Sequence, residues 1–206
     1  MKYKKSYSVL LALVICTPGF VKNNPFVQSL HTAKAIQLDV RYDSTLVRSG
    51  ADTIVYTPNK KVHWGQFTGT VPANAPAAAN SAVGFMFKAG VASNSNGSTI
   101  SIRIAAYFIP RQSWVQARHK TGYILEHEQR HFDIARYGAE LFRKKLLATR
   151  FNAGNISKNI SAAYEAAWTE YLALQEQYDK ETSHSINEAK QAEWNKKLEE
   201  WMKTVP

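Results

Sequence analysis

The chain has 206 residues, of which 45% are hydrophobic, 20% charged and 12% aromatic, enough for one compact domain with a core of its own and too short for two full domains. Its formal net charge is +10, but Lys and Arg are scattered among Asp and Glu instead of forming a block, which argues against a nucleic-acid partner. Cys16 is the one cysteine, so the sequence allows no intramolecular disulfide and no cysteine-built zinc site.

The chain opens on Lys2, Lys4 and Lys5 followed by the apolar run 9–15. Basic residues before an apolar stretch far shorter than the ~20 residues that span a bilayer read as an export leader. The leader is expected to end near residue 20, or as late as 35 at Ala33-Lys34-Ala35; a retained N-terminal anchor is the alternative. Its loss by a cut near residue 20 would remove Cys16 and three lysines, leaving 10 − 3 = +7 and no stable membrane span. A basic exported protein suits an anionic envelope surface or an acidic substrate.

From residue 36 the pattern changes to alternation. Ile36-Gln37-Leu38-Asp39-Val40-Arg41-Tyr42 and Thr99-Ile100-Ser101-Ile102-Arg103-Ile104-Ala105 each put apolar side chains on one face, as strands with one buried side do. Asn96-Gly97 lies between the second of these and the strand-like run 84–88 and predicts a hairpin turn. The Pro/Ala/Asn stretch 71–80 reads as a loop, with an Ala run able to start a short helix.

Helical periodicity begins at about 121 and runs to 150, where Asn152-Ala153-Gly154-Asn155 ends it. Leu125, Phe132, Ala135, Ala139, Phe142 and Leu146 form one apolar stripe, and His127, His131, Ile134, Gly138 and Leu141 lie along a neighbouring face. A second helix is predicted over 157–177, its stripe passing through Ile160, Tyr164, Ala167, Trp168, Tyr171 and Leu174 or Gln175, and a third over 186–202. The whole is an α+β class: a mostly antiparallel sheet followed by three helices, forming a single domain over 36–206.

Within the first helix, His127-Glu128-Gln129-Arg130-His131 has the H-E-x-x-H spacing of zinc peptidases. Side chains four apart stand on one helical face, so the two imidazoles reach one metal ion without distorting the backbone. Glu128 projects about 100° further round. It is therefore placed as a general base for a metal-bound water, whose pKa zinc lowers to about 7. A catalytic zinc site needs a third protein ligand. The segment Tyr178-Asp179-Lys180-Glu181-Thr182-Ser183-His184, at the junction of the second and third helices, holds three candidates: Asp179, Glu181 and His184. Tyr178 is a candidate hydroxyl donor to a developing oxyanion. Trp64 and Trp114 are candidates for a substrate groove or for the core.

Trp64-Gly65-Gln66-Phe67-Thr68-Gly69, Ser113-Trp114-Val115, Leu125-Glu126 with the pentad and Phe132-Asp133-Ile134, then Tyr178 to His184 and Gln191 to Trp194, together resemble a bacterial family of predicted secreted zinc-dependent proteases, catalogued as domain of unknown function 922. The resemblance implies a zincin-like motif helix, zinc as cofactor and a peptide or protein substrate. It favours His184 as the third ligand, because the downstream motif ends on it, and makes Asp179 and Glu181 groups that orient the imidazoles. Likeness to thermolysin-like enzymes would instead imply a carboxylate ligand. Ser185 stands where the family pattern implies glycine, which bears on the backbone of that turn. The expectation is an exported, periplasmic or secreted zinc metallopeptidase. Its alternative is an envelope protein that binds zinc or a partner without catalysis.

Overall fold

The computed structural model describes residues 35–47, 52–95 and 97–206; the expected leader and Cys16 lie outside them. Six strands and three helices follow in chain order: β1 (Ala35–Tyr42), β2 (Ile54–Val55), β3 (Ala79–Asn80), β4 (Val83–Asn94), β5 (Gly97–Phe108), β6 (Trp114–Val115), α1 (Gly122–Leu147), α2 (Ile156–Thr182) and α3 (Glu188–Lys203). A sheet region followed by three helices is the expected α+β class. Residues 71–78 form no helix.

β5 is the central strand because its alternation supplies a buried face, Ile100, Ile102 and Ile104, and its last residues, Ala105 to Phe108, are buried on both sides. β4 pairs with it antiparallel along its whole length, from Val83↔Phe108 to Asn94↔Gly97, which is the expected hairpin. Gly97 is required at its end: a Cβ there would stand 2.3 Å from the Ala35 carbonyl oxygen. The other edge of β5 is shared by β1 and β2. The sheet is mostly antiparallel as expected, with one parallel pairing: β1 runs parallel to β5, in register from Ala35↔Gly97 to Tyr42↔Ile104. β1 and β5 are not joined by a tight turn: the chain passes through β2, β3 and β4 between them, so nothing in the connection forces reversal.

α1 crosses this sheet with the predicted stripe. Phe132, Ala135, Ala139, Phe142 and Leu146 are all buried, with Phe142 against Phe87 (centroids 5.0 Å) and Phe132 against Tyr56 (5.0 Å) and Phe108 (6.0 Å). Thr121 starts the helix by accepting the Ile124 N–H at 3.2 Å. Gly138 lets α2 and β4 close on α1, because a Cβ at that position would lie 3.0 Å from the Phe85 ring and 3.1 Å from Tyr171 Cβ. α2 in turn covers the outer edge of β4. Tyr171 donates its hydroxyl to the Val83 carbonyl at 2.8 Å, and the Tyr164 hydroxyl reaches the Phe85 carbonyl at 3.5 Å. No helix among the described residues is long and apolar enough to cross a membrane.

Candidate metal centre

α1 packs against α2 and α3, and in its N-terminal part His127, Glu128 and His131 are buried, exposed by only 3%, 3% and 4%. α2 presents Gln175, Tyr178, Asp179 and Thr182 to it, residues spaced i, i+3, i+4 and i+7 and all buried. Among the described residues, His127, His131 and Asp179 form a group whose ligand atoms lie within 4.8 Å of one another. The Nε2 atoms of the two histidines are 3.2 Å apart, and Asp179 Oδ1 is 3.4 Å from the first and 3.0 Å from the second.

The outer sides of both rings are held. His131 Nδ1 is 2.5 Å from Gln175 Oε1, and the Gln175 amide nitrogen donates to the His131 carbonyl at 2.9 Å. His127 Nδ1 is 2.8 Å from Gln191 Oε1 on α3. With each Nδ1 donating to an amide oxygen, each Nε2 is left as an electron-pair donor. Two imidazole nitrogens and a carboxylate oxygen then converge, an arrangement able to hold a metal ion.

The third candidate ligand in this group is thus Asp179, not the favoured His184. Ser183, His184 and Ser185 have φ of 49°, 53° and 75°, so the chain leaves the α2 axis in three successive left-handed steps. The His184 N–H closes the turn onto the Asp179 carbonyl at 2.9 Å. Its side chain is 59% exposed, with Nδ1 3.4 Å from Asp179 Oδ1. Ser185 does occupy a backbone position suited to glycine. Glu181 points elsewhere, accepting from Trp194 Nε1 and Gln177 Nε2, both at 2.7 Å.

Tyr178 is fully buried and stacked on His127 (4.7 Å, 20°). Its hydroxyl donates to the His127 carbonyl at 3.3 Å and accepts from Gln191 Nε2 at 2.6 Å. Burial, with Glu128 and Asp179 nearby, pushes its ionisation well above the ordinary tyrosine range. The geometry gives it the role of a packing and anchoring group and does not turn it toward an oxyanion. Glu128 stands beside the pair as the spacing required. Its Oε2 accepts from Ser81 Oγ at 2.6 Å, while Oε1 makes no hydrogen bond among the described residues. Ser81 is held in turn because its neighbour Ala82 donates to Ser113 Oγ at 2.9 Å and accepts from the Ile109 N–H at 2.8 Å. Trp64 donates Nε1 to the Thr121 carbonyl at 3.2 Å and packs edge-on against Phe67; Trp114 is half-buried in β6.

Ser81, Gln175 and Gln191 are site residues that motif reasoning missed as such. Gln175 could have been found by phase, since it is one helical turn before Asp179.

Two imidazoles four residues apart on one helix, joined by a carboxylate from a second helix, define a buried centre able to hold a metal ion. Residues 109–185, which carry all three of these groups, match the family described as Bacterial protein of unknown function (DUF922). No curated protein and no solved structure matches the chain.

Proposed function

We propose that the chain is an exported zinc-dependent peptidase that hydrolyses peptide bonds with Glu128 as general base. The observation that carries this reading is the convergence of His127 Nε2, His131 Nε2 and Asp179 Oδ1 at 3.0–3.4 Å. A tetrahedral ion with bonds of about 2.0–2.1 Å spaces its ligands roughly 3.3 Å apart, so the three donor atoms already have the separations zinc imposes. His127, His131 and Asp179 would hold it. Bound zinc supplies an acidified water and polarises the scissile carbonyl.

The protein's own groups account for the rest. Glu128 keeps one carboxylate oxygen on Ser81 and has the other to take a proton from the attacking water and return it to the leaving amine. His184, exposed beside Asp179, is the side chain at the rim able to donate to a developing oxyanion, the role that Tyr178 cannot serve from its buried position.

The test is zinc content by elemental analysis together with digestion of a mixed peptide library read by mass spectrometry. The wild type should hold one zinc and cleave peptides. Glu128→Gln should keep the zinc and lose about 10²–10⁴-fold in rate. A wild type that takes up no zinc, or a Glu128→Gln variant that cleaves as well as the wild type, overturns the reading. The same proximity of His184 to Asp179, 3.4 Å, favours a second reading in which His184 closes a four-ligand structural centre and no reaction occurs. That reading requires zinc to be weakened in His184→Ala and no peptide to be cleaved.

A further inference from the structure

We infer that Gln175 and Gln191 are positioning residues that fix both metal-facing imidazoles in the Nδ1–H tautomer, and that the Gln191 arm of this device begins at Arg130 on the neighbouring flank of α1. The inference rests on the metal-centre reading only for its effect on zinc affinity; the tautomers follow from the hydrogen-bond network alone.

An amide side chain can be turned end for end, so its orientation must be argued from partners whose roles are fixed. For Gln175 one such partner suffices. The His131 carbonyl only accepts, so the amide nitrogen lies there at 2.9 Å and the oxygen faces His131 Nδ1. For Gln191 the argument runs through Asn195. Arg130 Nε, which only donates, lies 3.1 Å from Asn195 Oδ1. Glu126 Oε1, a carboxylate oxygen, accepts from Asn195 Nδ2 at 3.0 Å. Asn195 is therefore fixed at both ends. Gln191 must then offer its amide nitrogen to Asn195 Oδ1, at 2.8 Å, and to the Tyr178 hydroxyl, at 2.6 Å. Its oxygen is left for His127 Nδ1. Arg130 is itself held by Asp133, Glu126 and Glu199. A chain of fixed polarity thus runs from Arg130 through Asn195 and Gln191 to His127 Nδ1.

Metal-binding histidines are commonly oriented by carboxylates or main-chain carbonyls. Here both partners are neutral amides. The group of His127, His131 and Asp179 therefore brings one negative charge to a divalent ion, which keeps the ion more strongly polarising than it would be with anionic partners behind the rings. Gln191 and Asn195 lie in α3, beyond the segment 109–185 that matches the family, so this part of the shell is supplied from outside it.

The test uses the full chain with zinc as the probe: affinity by competition with a chromophoric chelator, and imidazole proton–nitrogen NMR. The variants are Gln175→Leu, Gln191→Leu and Gln191→Glu. Wild type should show an Nδ1–H on both rings. Gln191→Leu should lose that signal for His127 alone and Gln175→Leu for His131 alone, each with a 10–100-fold weaker zinc affinity. Gln191→Glu, which keeps an acceptor at Nδ1, should restore the His127 signal. The untouched ring in each leucine variant reports that the fold has survived. Both leucine variants binding zinc like the wild type, or Nε2–H signals in the wild type, overturn the proposal. A wild type that takes no zinc but shows both Nδ1–H signals, lost ring by ring in the variants, supports the tautomer assignment and overturns the metal reading instead.

Discussion

The two polar flanks of α1 are equally buried and differently balanced. On one, Asp133 accepts from Tyr56, Gln129 and Arg130 at 2.9–3.1 Å, and the Gln129 oxygen accepts from the Val62 N–H at 2.9 Å, so donors and acceptors match. On the other, His127 Nε2, His131 Nε2 and Asp179 Oδ1 converge at 3.0–3.4 Å in a group able to hold a metal ion. A buried network whose donors and acceptors match is complete as it stands, whereas a group of converging ligand atoms has the capacity to take an ion.

Substitutions can break either side. The largest effect is expected from His131→Ala, which removes a ligand atom from the converging group: zinc content by elemental analysis should fall from one per chain to none, with the circular dichroism of the helices kept. Asp133→Ala on the balanced flank leaves the Tyr56 hydroxyl, the Gln129 amide and one Arg130 N–H without their acceptor, while Glu126 and Glu199 still pair the guanidinium, and should cost about 3 kcal/mol. Thermal unfolding should show a melting temperature lower by roughly 10 °C. Gly138→Ala, between the flanks, sets overpacking of about 1–3 kcal/mol against a helix-propensity gain of about 1 kcal/mol. A loss near 1 kcal/mol in urea unfolding is expected, and no loss would mean that Phe85 yields freely. The smallest effect on metal is expected from His184→Ala. Zinc affinity should change little, while peptide cleavage falls by about 10²–10³-fold if His184 serves the oxyanion.

The sequence made α1 legible because two signals coincide on it: the apolar stripe from Phe132 to Leu146 and the pentad one face away. The direction of β1 was not legible. Alternation reveals a buried face, but parallel and antiparallel pairing present the same alternation, and only the route of the intervening chain distinguishes them. The choice among Asp179, Glu181 and His184 was a matter of helical phase. Asp179 shares its face with Gln175 and Tyr178 as long as α2 continues, and α2 continues to Thr182. It then turns at Ser183, where no glycine announces the end of the helix, and the turn carries His184 away from that face. The glutamine partners went unread because an amide in an apolar stripe looks like a tolerated exception until the ring it faces is known.

The tyrosines of α2 that reach the outer edge of β4 bear on how copies of this protein behave in a crowd. An unpaired strand edge offers carbonyls to any passing strand, and such edges start sheet-to-sheet aggregation. Tyr171, and at longer range Tyr164, have already claimed the carbonyls of Val83 and Phe85, so the first part of β4 is closed to recruitment. Further along, residues 90–94 are more exposed. The tip of the hairpin is therefore where unwanted association would begin, and where a single added charge would do most to keep a concentrated preparation clear.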